Sequence, residues 1–358
     1  VINEGIDNLS SRVKIDEVDI KILKALLKDP RISFAKIAKQ CEMSINAVRS
    51  KFKRLEELDL IKGSIMQINP KYWGYNCIAY LMIRADANAR EEVLEFLINT
   101  PKILHTFQQI GRTNIHCLAT LKNVDELAHT LEDVKKHSSI IDVNAIIWVD
   151  VIKMDHPENL VIEPSDELSH SAELEPLNVN SKGITNNKCI SSGAVKEVPI
   201  KTAYEFDMID QNIIRLLSEN ARLPFSKIAE QLNISTQSVS RRYNKLRKTV
   251  SPYSSITLDL RKLGYVGTAL FLIKVSNEQD VAKIVEEILK VPNVITAIRT
   301  LGNFDVFIAA PFSDYDDLFK INQAITGISG VKQIELLWGE PFSEWPLNIF
   351  SKVIHKEV

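Results

Sequence analysis

Displaced by 191 positions, the sequence lies over itself without a gap across its first structural stretch. Asp16, Asp19, Ile22, Leu26, Arg31 and Phe34 fall on Asp207, Asp210, Ile213, Leu217, Arg222 and Phe225. Lys36-Ile37-Ala38, Gln40, Ser44, Val48 and Leu55 then fall on Lys227-Ile228-Ala229, Gln231, Ser235, Val239 and Leu246. After a one-residue adjustment Gly74-Tyr75 aligns with Gly264-Tyr265. The first register returns at Pro101 with Pro292 and Gly111 with Gly302, and Trp148 pairs with Trp338. Register kept over so many apolar positions marks a duplication. Its period is far too long for a solenoid repeat, so each copy holds a pair of domains.

A segment of different character separates the copies. Residues 155–175 carry seven carboxylates and no Lys or Arg, and the stretch to residue 201 is rich in Ser, Asn and Gly. Neither half has sustained apolar periodicity, which predicts a flexible linker. The expected division is 1–70 for a first helix-turn-helix, 71–154 for a first ferredoxin-like domain and 155–201 for the linker. Residues 202–258 then form a second helix-turn-helix, 259–340 a second ferredoxin-like domain and 341–358 a C-terminal extension. Trp345 and Phe350 are expected to pack that extension onto the body as a strap.

A chain of 358 residues exceeds one ordinary core, and 45% hydrophobic with 25% charged residues is a folding composition. The net charge of -2 means that any anion-binding surface must come from local clustering of cations. Four widely spaced cysteines, Cys41, Cys77, Cys117 and Cys189, fit a reducing compartment rather than a disulfide framework or zinc module. The opening residues have no basic start before an apolar run, and no apolar run approaches the ~20 residues of a membrane span. A cytoplasmic protein with no membrane partner is expected.

In the first module of each copy, residues 16–28 carry apolar side chains at Val18, Ile22, Leu23, Leu26 and Leu27, an amphipathic helix opened by Asp16. Ser33 caps a short helix over 34–41, and Ser44 opens a third that runs to about residue 58. That helix buries Val48, Phe52 and Leu55. Three helices with a tight turn before the third make a helix-turn-helix, and residues 60–65 read as a wing strand. Opposite the buried stripe stand Asn46, Arg49, Ser50, Lys53 and Arg54. In the second copy Val239, Tyr243 and Leu246 are the stripe, leaving Gln237, Ser238, Arg241, Arg242 and Lys245 outside. Cations suit phosphates, Asn, Gln and Arg suit base edges in the major groove, and helix starts at Ser44 and Ser235 favour phosphate. These residues are the expected contacts to double-stranded DNA.

In the second module the runs 77–84, 89–99, 103–109, 115–121, 124–136 and 143–151 alternate or cycle in the order βαββαβ. Residues 268–275, 281–290, 294–300, 306–310, 315–326 and 332–338 repeat it. The expected fold class is α+β, with two repeats, each a winged helix-turn-helix followed by a ferredoxin-like βαββαβ domain. One face of each sheet needs cover, which pairing of the two domains face to face, or with another chain, would supply.

Together these residues resemble the leucine-responsive regulatory protein/AsnC family. The resemblance rests on the D-x-x-D opening (Asp16/Asp19 and Asp207/Asp210), F-x-K-I-A in the second helix, and Ser-x-x-x-Val at the start of the third. It rests also on Gly-x-x-Asp at Gly302-Asn303-Phe304-Asp305. It implies a transcriptional regulator that self-associates through its ferredoxin-like domains and responds to an effector, commonly an amino acid. On that analogy Gly302, Asn303 and Asp305 are the expected effector contacts, whereas the first copy has Asn114 in place of the acid. Pro252 departs from the pattern by interrupting the second wing.

Rival classes share parts of this pattern. Sirohaem decarboxylases resemble the paired halves, but their expected His-Asn-Tyr-x-Arg is represented in the second strands only by isolated His105 and Arg299, and their Tyr-Asn-x-Trp-Phe is missing from the third strands at 114–118 and 305–308. A sensing or assembly protein without DNA binding would follow if the basic third helices were occluded. His105, His116, His129 and His137 lack metal-ligand spacing, and no nucleophile triad or phosphate-cradling loop is visible. The expectation is therefore a non-enzyme with no catalytic residues, metal or cofactor.

Overall fold

The computed structural model describes residues 12–154, 206–251, 253–276, 280–351 and 353. The linker expected over 155–201 and the interruption at Pro252 lie outside the described residues. Three helices open the first copy: α1 (Glu17–Lys28), α2 (Phe34–Gln40) and α3 (Ile45–Glu57). Their starts follow from local chemistry. Asp16 forms a reciprocal capping box with Asp19, and Ser33 and Ser44 accept from Lys36 N and Ala47 N. Strand β1 (Ile61–Met66) follows, then the βαββαβ unit: β2 (Cys77–Ala85), α4 (Arg90–Ile98), β3 (Ile103–Gln108), β4 (Ile115–Leu121), α5 (Val124–Lys135) and β5 (Ile140–Lys153).

The second copy repeats the order with α6 (Met208–Glu219), α7 (Phe225–Leu232), α8 (Thr236–Thr249) and β6 (Ser254–Leu258). Its βαββαβ unit is β7 (Gly267–Val275), α9 (Val281–Ile288), β8 (Thr296–Leu301), β9 (Val306–Phe312), α10 (Tyr315–Thr326) and β10 (Val331–Gly339). Among the described residues no helix is long and apolar enough to cross a membrane.

The two βαββαβ units join inside one chain. Their strands make one eight-stranded sheet in the order β10-β7-β9-β8-β5-β2-β4-β3, with β5 pairing antiparallel to β8 through Ile147 opposite Leu301 and Trp148 opposite Thr300. The outer edges also meet, because Ile110, just past β3, bridges Trp338 on β10. The pairing is thus edge to edge as well as face to face. Alternation along each strand assigns the faces. Ala79, Leu81 and Ile83 pack with Val93, Leu97 and Val134 of α4 and α5, and Phe271 and Ile273 do the same with Ile284 and Ile321 of α9 and α10. Tyr80, Met82, Leu118, Leu270, Leu272 and Phe307 point the other way, into a core shared by both copies.

The wing strands depart from the sequence-based expectation. β1 and β6 pair with each other, Ile61 opposite Leu258 and Met66 opposite Ser254, in a two-stranded ribbon that is mostly buried. The apolar side chains of residues 60–65 are used to join the modules rather than to flank a groove. The C-terminal extension packs on this ribbon as a strap. Leu258 and Trp345 exchange backbone hydrogen bonds (2.8 and 2.9 Å), Leu260 N donates to Phe342 O, and Gln67 Nε2 donates to Leu347 O. Trp345, Ile349 and Phe350 are buried.

Candidate nucleic-acid interface

Helices α3 and α8 carry their cations on two levels. The inner level ties each helix to the first helix of its module. Lys51 Nζ lies 2.5 Å from Asp16 and 3.1 Å from Asp19, and Arg54 donates to Asp19 (3.0 Å) and to Lys14 O (2.8 Å). In the second copy Arg242 Nη1 lies 2.7 Å from Asp210 and 2.8 Å from Asp207. Asp19 and Asp210 are buried, and each has a cation within ion-pair distance where an unpaired charge would be costly. Burial works against ionisation of Asp16 and Asp207. The hydrogen bonds and charges of Lys51, Arg242 and the helix-start N–H groups nevertheless hold both carboxyls below their usual range. The D-x-x-D pattern thereby caps α1 and α6 and also orients the third helix. Arg54 and Arg242, read from the sequence as DNA contacts, both take part in these ion pairs; Arg54 stays exposed and Arg242 is half-buried. Lys51, not singled out in the sequence, takes the place that Arg242 holds in the second copy.

The outer level stays at the surface. Asn46, Arg49, Ser50 and Lys53 are exposed on α3, where Lys53 forms only an exposed i,i+4 pair with Glu57 (3.2 Å). On α8 Gln237, Arg241 and Lys245 are exposed and Ser238 is half-buried. Ser44 and Ser235 are the helix N-caps, each accepting from a backbone N–H at 3.1 Å. The two faces are not copies of each other. Arg49 corresponds to Ser240, Ser50 to Arg241 and Lys53 to Asn244, and α8 holds five cations and no carboxylate.

A reciprocal contact sets the two modules against each other. Arg31 reaches from the first copy to Ala221 O (2.5 Å) and Leu223 O (3.0 Å), with its guanidinium 4.0 Å from the ring of Phe225 and 5.5 Å from that of Tyr243. Arg222, its counterpart, donates to Pro30 O and lies about 5 Å over Phe34 and Phe52. Phe52 belongs to α3 and Tyr243 to α8, so the joint grips both third helices.

The Gly302 turn is built for the junction between copies. A Cβ at Gly302 (φ +137) would meet Ala145 O at 3.1 Å, and one at Gly111 (φ +154) would meet Leu337 at 2.7 Å. Asn303 is exposed. Asp305 binds Lys274 Nζ (3.0 Å) and accepts from Val275 N (2.8 Å), while Asn114 makes the matching bonds to Ala85 N and O (both 2.9 Å). Asn and Asp do the same turn-closing work in the two copies.

His116 is a satisfied core histidine. It hydrogen-bonds Thr113 Oγ1 (2.6 Å) and the Tyr80 hydroxyl (3.1 Å), and burial pushes its pKa down to about 3. Among the described residues no group of His, Cys, Asp and Glu could hold a metal ion.

The fold and surface define a class: a duplicated helix-turn-helix protein whose two βαββαβ domains pair within one chain. The comparisons agree. An AsnC-type helix-turn-helix domain model matches residues 206–247, a winged helix-turn-helix DNA-binding model matches 15–62, and an Lrp/AsnC ligand binding domain model matches 268–337. The HTH-type transcriptional regulator Ptr1 of Methanocaldococcus jannaschii is 32% identical over 130 residues, covering 36% of this chain and 86% of that protein. The HTH-type transcriptional regulator FL11 of Pyrococcus furiosus is 27% identical over 139 residues, 39% of this chain and 92% of that protein. The chain belongs to the Lrp/AsnC family. Its overall arrangement is similar to the crystal structure of the siroheme decarboxylase NirDL, with a TM-score of 0.60 and 13% identity over 95% of this chain and 98% of that one. At that identity the likeness speaks for the fold alone.

Proposed function

We propose that this chain regulates transcription by binding double-stranded DNA with two unlike recognition helices, α3 and α8, carried in one polypeptide. The observation that carries the reading is the pair of exposed polar and cationic faces gripped in one unit by Arg31 and Arg222. Asn46, Arg49, Ser50 and Lys53 would meet one half-site, and Gln237, Ser238, Arg241 and Lys245 the other. Arg54 and Arg242 act from behind, holding the helices in place. Most of the affinity would come from phosphates, so binding should weaken steeply with salt. Replacing Arg49, Lys53, Arg241 and Lys245 together by Ala should abolish retention of DNA on a gel while the circular dichroism spectrum stays native. Undiminished retention would refute the assigned surface.

The match over 268–337 supports an effector for the second domain. An amino-acid effector at Gly302, Asn303 and Asp305 would exchange its ammonium for that of Lys274, and Asp305→Asn would then remove the response. Self-association beyond the pairing inside one chain is a further part of the proposal.

A second reading, an enzyme acting on a tetrapyrrole, is raised by the fold shared with the siroheme decarboxylase NirDL. Against it stand the missing sequence signatures and the curated relatives, which are named as regulators. Titrating the purified protein with sirohaem separates the two readings, because the regulator predicts no absorbance change.

A further inference from the structure

A cavity with about 50 Å³ of free space, or about 460 Å³ with the crevices between its lining atoms and its open mouth included, lies where the inner faces of the two sheets meet the C-terminal strap. Tyr80, Phe107, Trp148, Phe307, Phe342 and Trp345 form an aromatic wall around it. Its position follows from the way the copies diverged. Leu118 and His105 of the first copy correspond to Ala309 and Thr296 of the second, and Leu118, Ala309 and Thr296 all line the space. Shortening the second-copy side chains leaves room inside a core that is otherwise closely packed.

The lining contains polar atoms with nothing to bind. The indole N–H of Trp345, a residue only 2% exposed, has no acceptor, nor has that of Trp148, and Gln109 Oε1 has no donor. Buried polar groups are ordinarily satisfied, so three orphans around one cavity point to a missing partner. The chemistry of that partner follows from the lining. Two N–H donors ask for acceptors such as a carbonyl or ring nitrogen, and the aromatic wall asks for a ring. Among the lining residues none is charged, so an ion brought there would lose its hydration without compensation.

The strap gives such a site a route to the DNA-binding modules. Phe342 and Trp345, stacked with centroids 4.9 Å apart, form part of the cavity wall. Their backbones bond to Leu258 and Leu260, at the end of the ribbon that joins the two helix-turn-helix units. We propose that the cavity binds a small neutral aromatic molecule bearing a hydrogen-bond acceptor, and that occupancy shifts the strap and ribbon and so changes DNA affinity. The coupling half rests on the DNA-binding reading; the binding half does not.

The test uses the full chain with acetophenone, benzamide and indole-3-carbaldehyde as probes and toluene and L-phenylalanine as controls. Saturation-transfer NMR reads binding, and gel retention reads DNA separately. At least one carbonyl probe should bind saturably, L-phenylalanine should not displace it, and Ala309→Phe should abolish its signal by filling the space. Trp345→Phe, which keeps the ring packing, should weaken the carbonyl probe about tenfold, as expected for one lost hydrogen bond, and leave toluene unaffected. A bound probe should also move the midpoint of DNA retention several-fold. Failure of all three probes to bind, or an unchanged signal in Ala309→Phe, would overturn the site. Binding with no shift in DNA affinity would overturn the coupling, whereas loss of DNA retention without any probe would count against the regulator reading instead.

Discussion

The guanidinium of Arg31 lies 4.0 Å from the ring centroid of Phe225, across the seam between two domains whose sequences are 191 positions apart. The same side chain donates to two carbonyls of the opposite module, and Arg222 returns the contact to Phe34, Phe52 and Pro30. Arg31 and Arg222 are both more than half withdrawn from solvent, where a cation over an aromatic face and a charge-assisted hydrogen bond are each worth on the order of 1–2 kcal/mol. Arg31→Ala and Arg222→Ala should therefore each lower unfolding free energy by about 1–3 kcal/mol in urea titrations. Arg31→Lys should recover only part, because an ammonium lacks the planar fork.

Acid should loosen the third helices. Asp16 and Asp207 hold their protons less tightly in the folded chain than in the unfolded one, so their pairs stabilise fully above about pH 4 and fade as pH falls below it. Asp207→Asn keeps the cap acceptor and removes the charge. It should cost at most about 1 kcal/mol at pH 7, since the pair is half-exposed, and should flatten the acid limb of a stability-versus-pH curve.

His116 acts on that curve in the same direction, over a higher range of pH. With a folded pKa of about 3 against about 6.5 unfolded, the folded chain refuses a proton that the unfolded chain accepts. Stability should drop by about 1.4 kcal/mol per pH unit from roughly pH 6.5 towards pH 3 on account of this residue. His116→Gln should remove that slope, read by urea midpoints at successive pH values, whatever it does to stability at pH 8.

The turn between the second and third helices holds a residue in the left-handed region in both copies, Asn233 (φ 51) and Glu42 (φ 54). Asn accepts this conformation readily and Glu does not. Glu42→Asn should raise the unfolding free energy by about 0.5–1 kcal/mol in the same denaturation assay. An unchanged or lower value would show that the exposed Glu42 side chain makes a compensating contact.

Much of the fold was legible because its patterns are local. The observed helices α5 and α10 start where the periodicity begins, at Val124 and Tyr315, and β4 matches the apolar run 115–121. Asp16, Ser33 and Ser44 announced helix starts by their own cap chemistry. What stayed hidden depends on distant partners. Residues 60–65 read as a strand, but nothing in their alternation says that β6 is the neighbour. A cation on a helix face looks the same in sequence whether it faces solvent, as Arg49 does, or bends back to Asp210, as Arg242 does. Nor does the sequence around Asp305, the expected effector contact, announce that its carboxylate bonds Lys274 Nζ and Val275 N.

Selecting random-sequence DNA with the purified full chain and sequencing what it retains tests the central claim most directly. The account predicts two unlike half-sites, their centres one helical turn or a whole multiple apart, because α3 and α8 differ in sequence yet are fixed in one unit. Recovery of no enriched motif, or of a single half-site with no preferred partner, would contradict it.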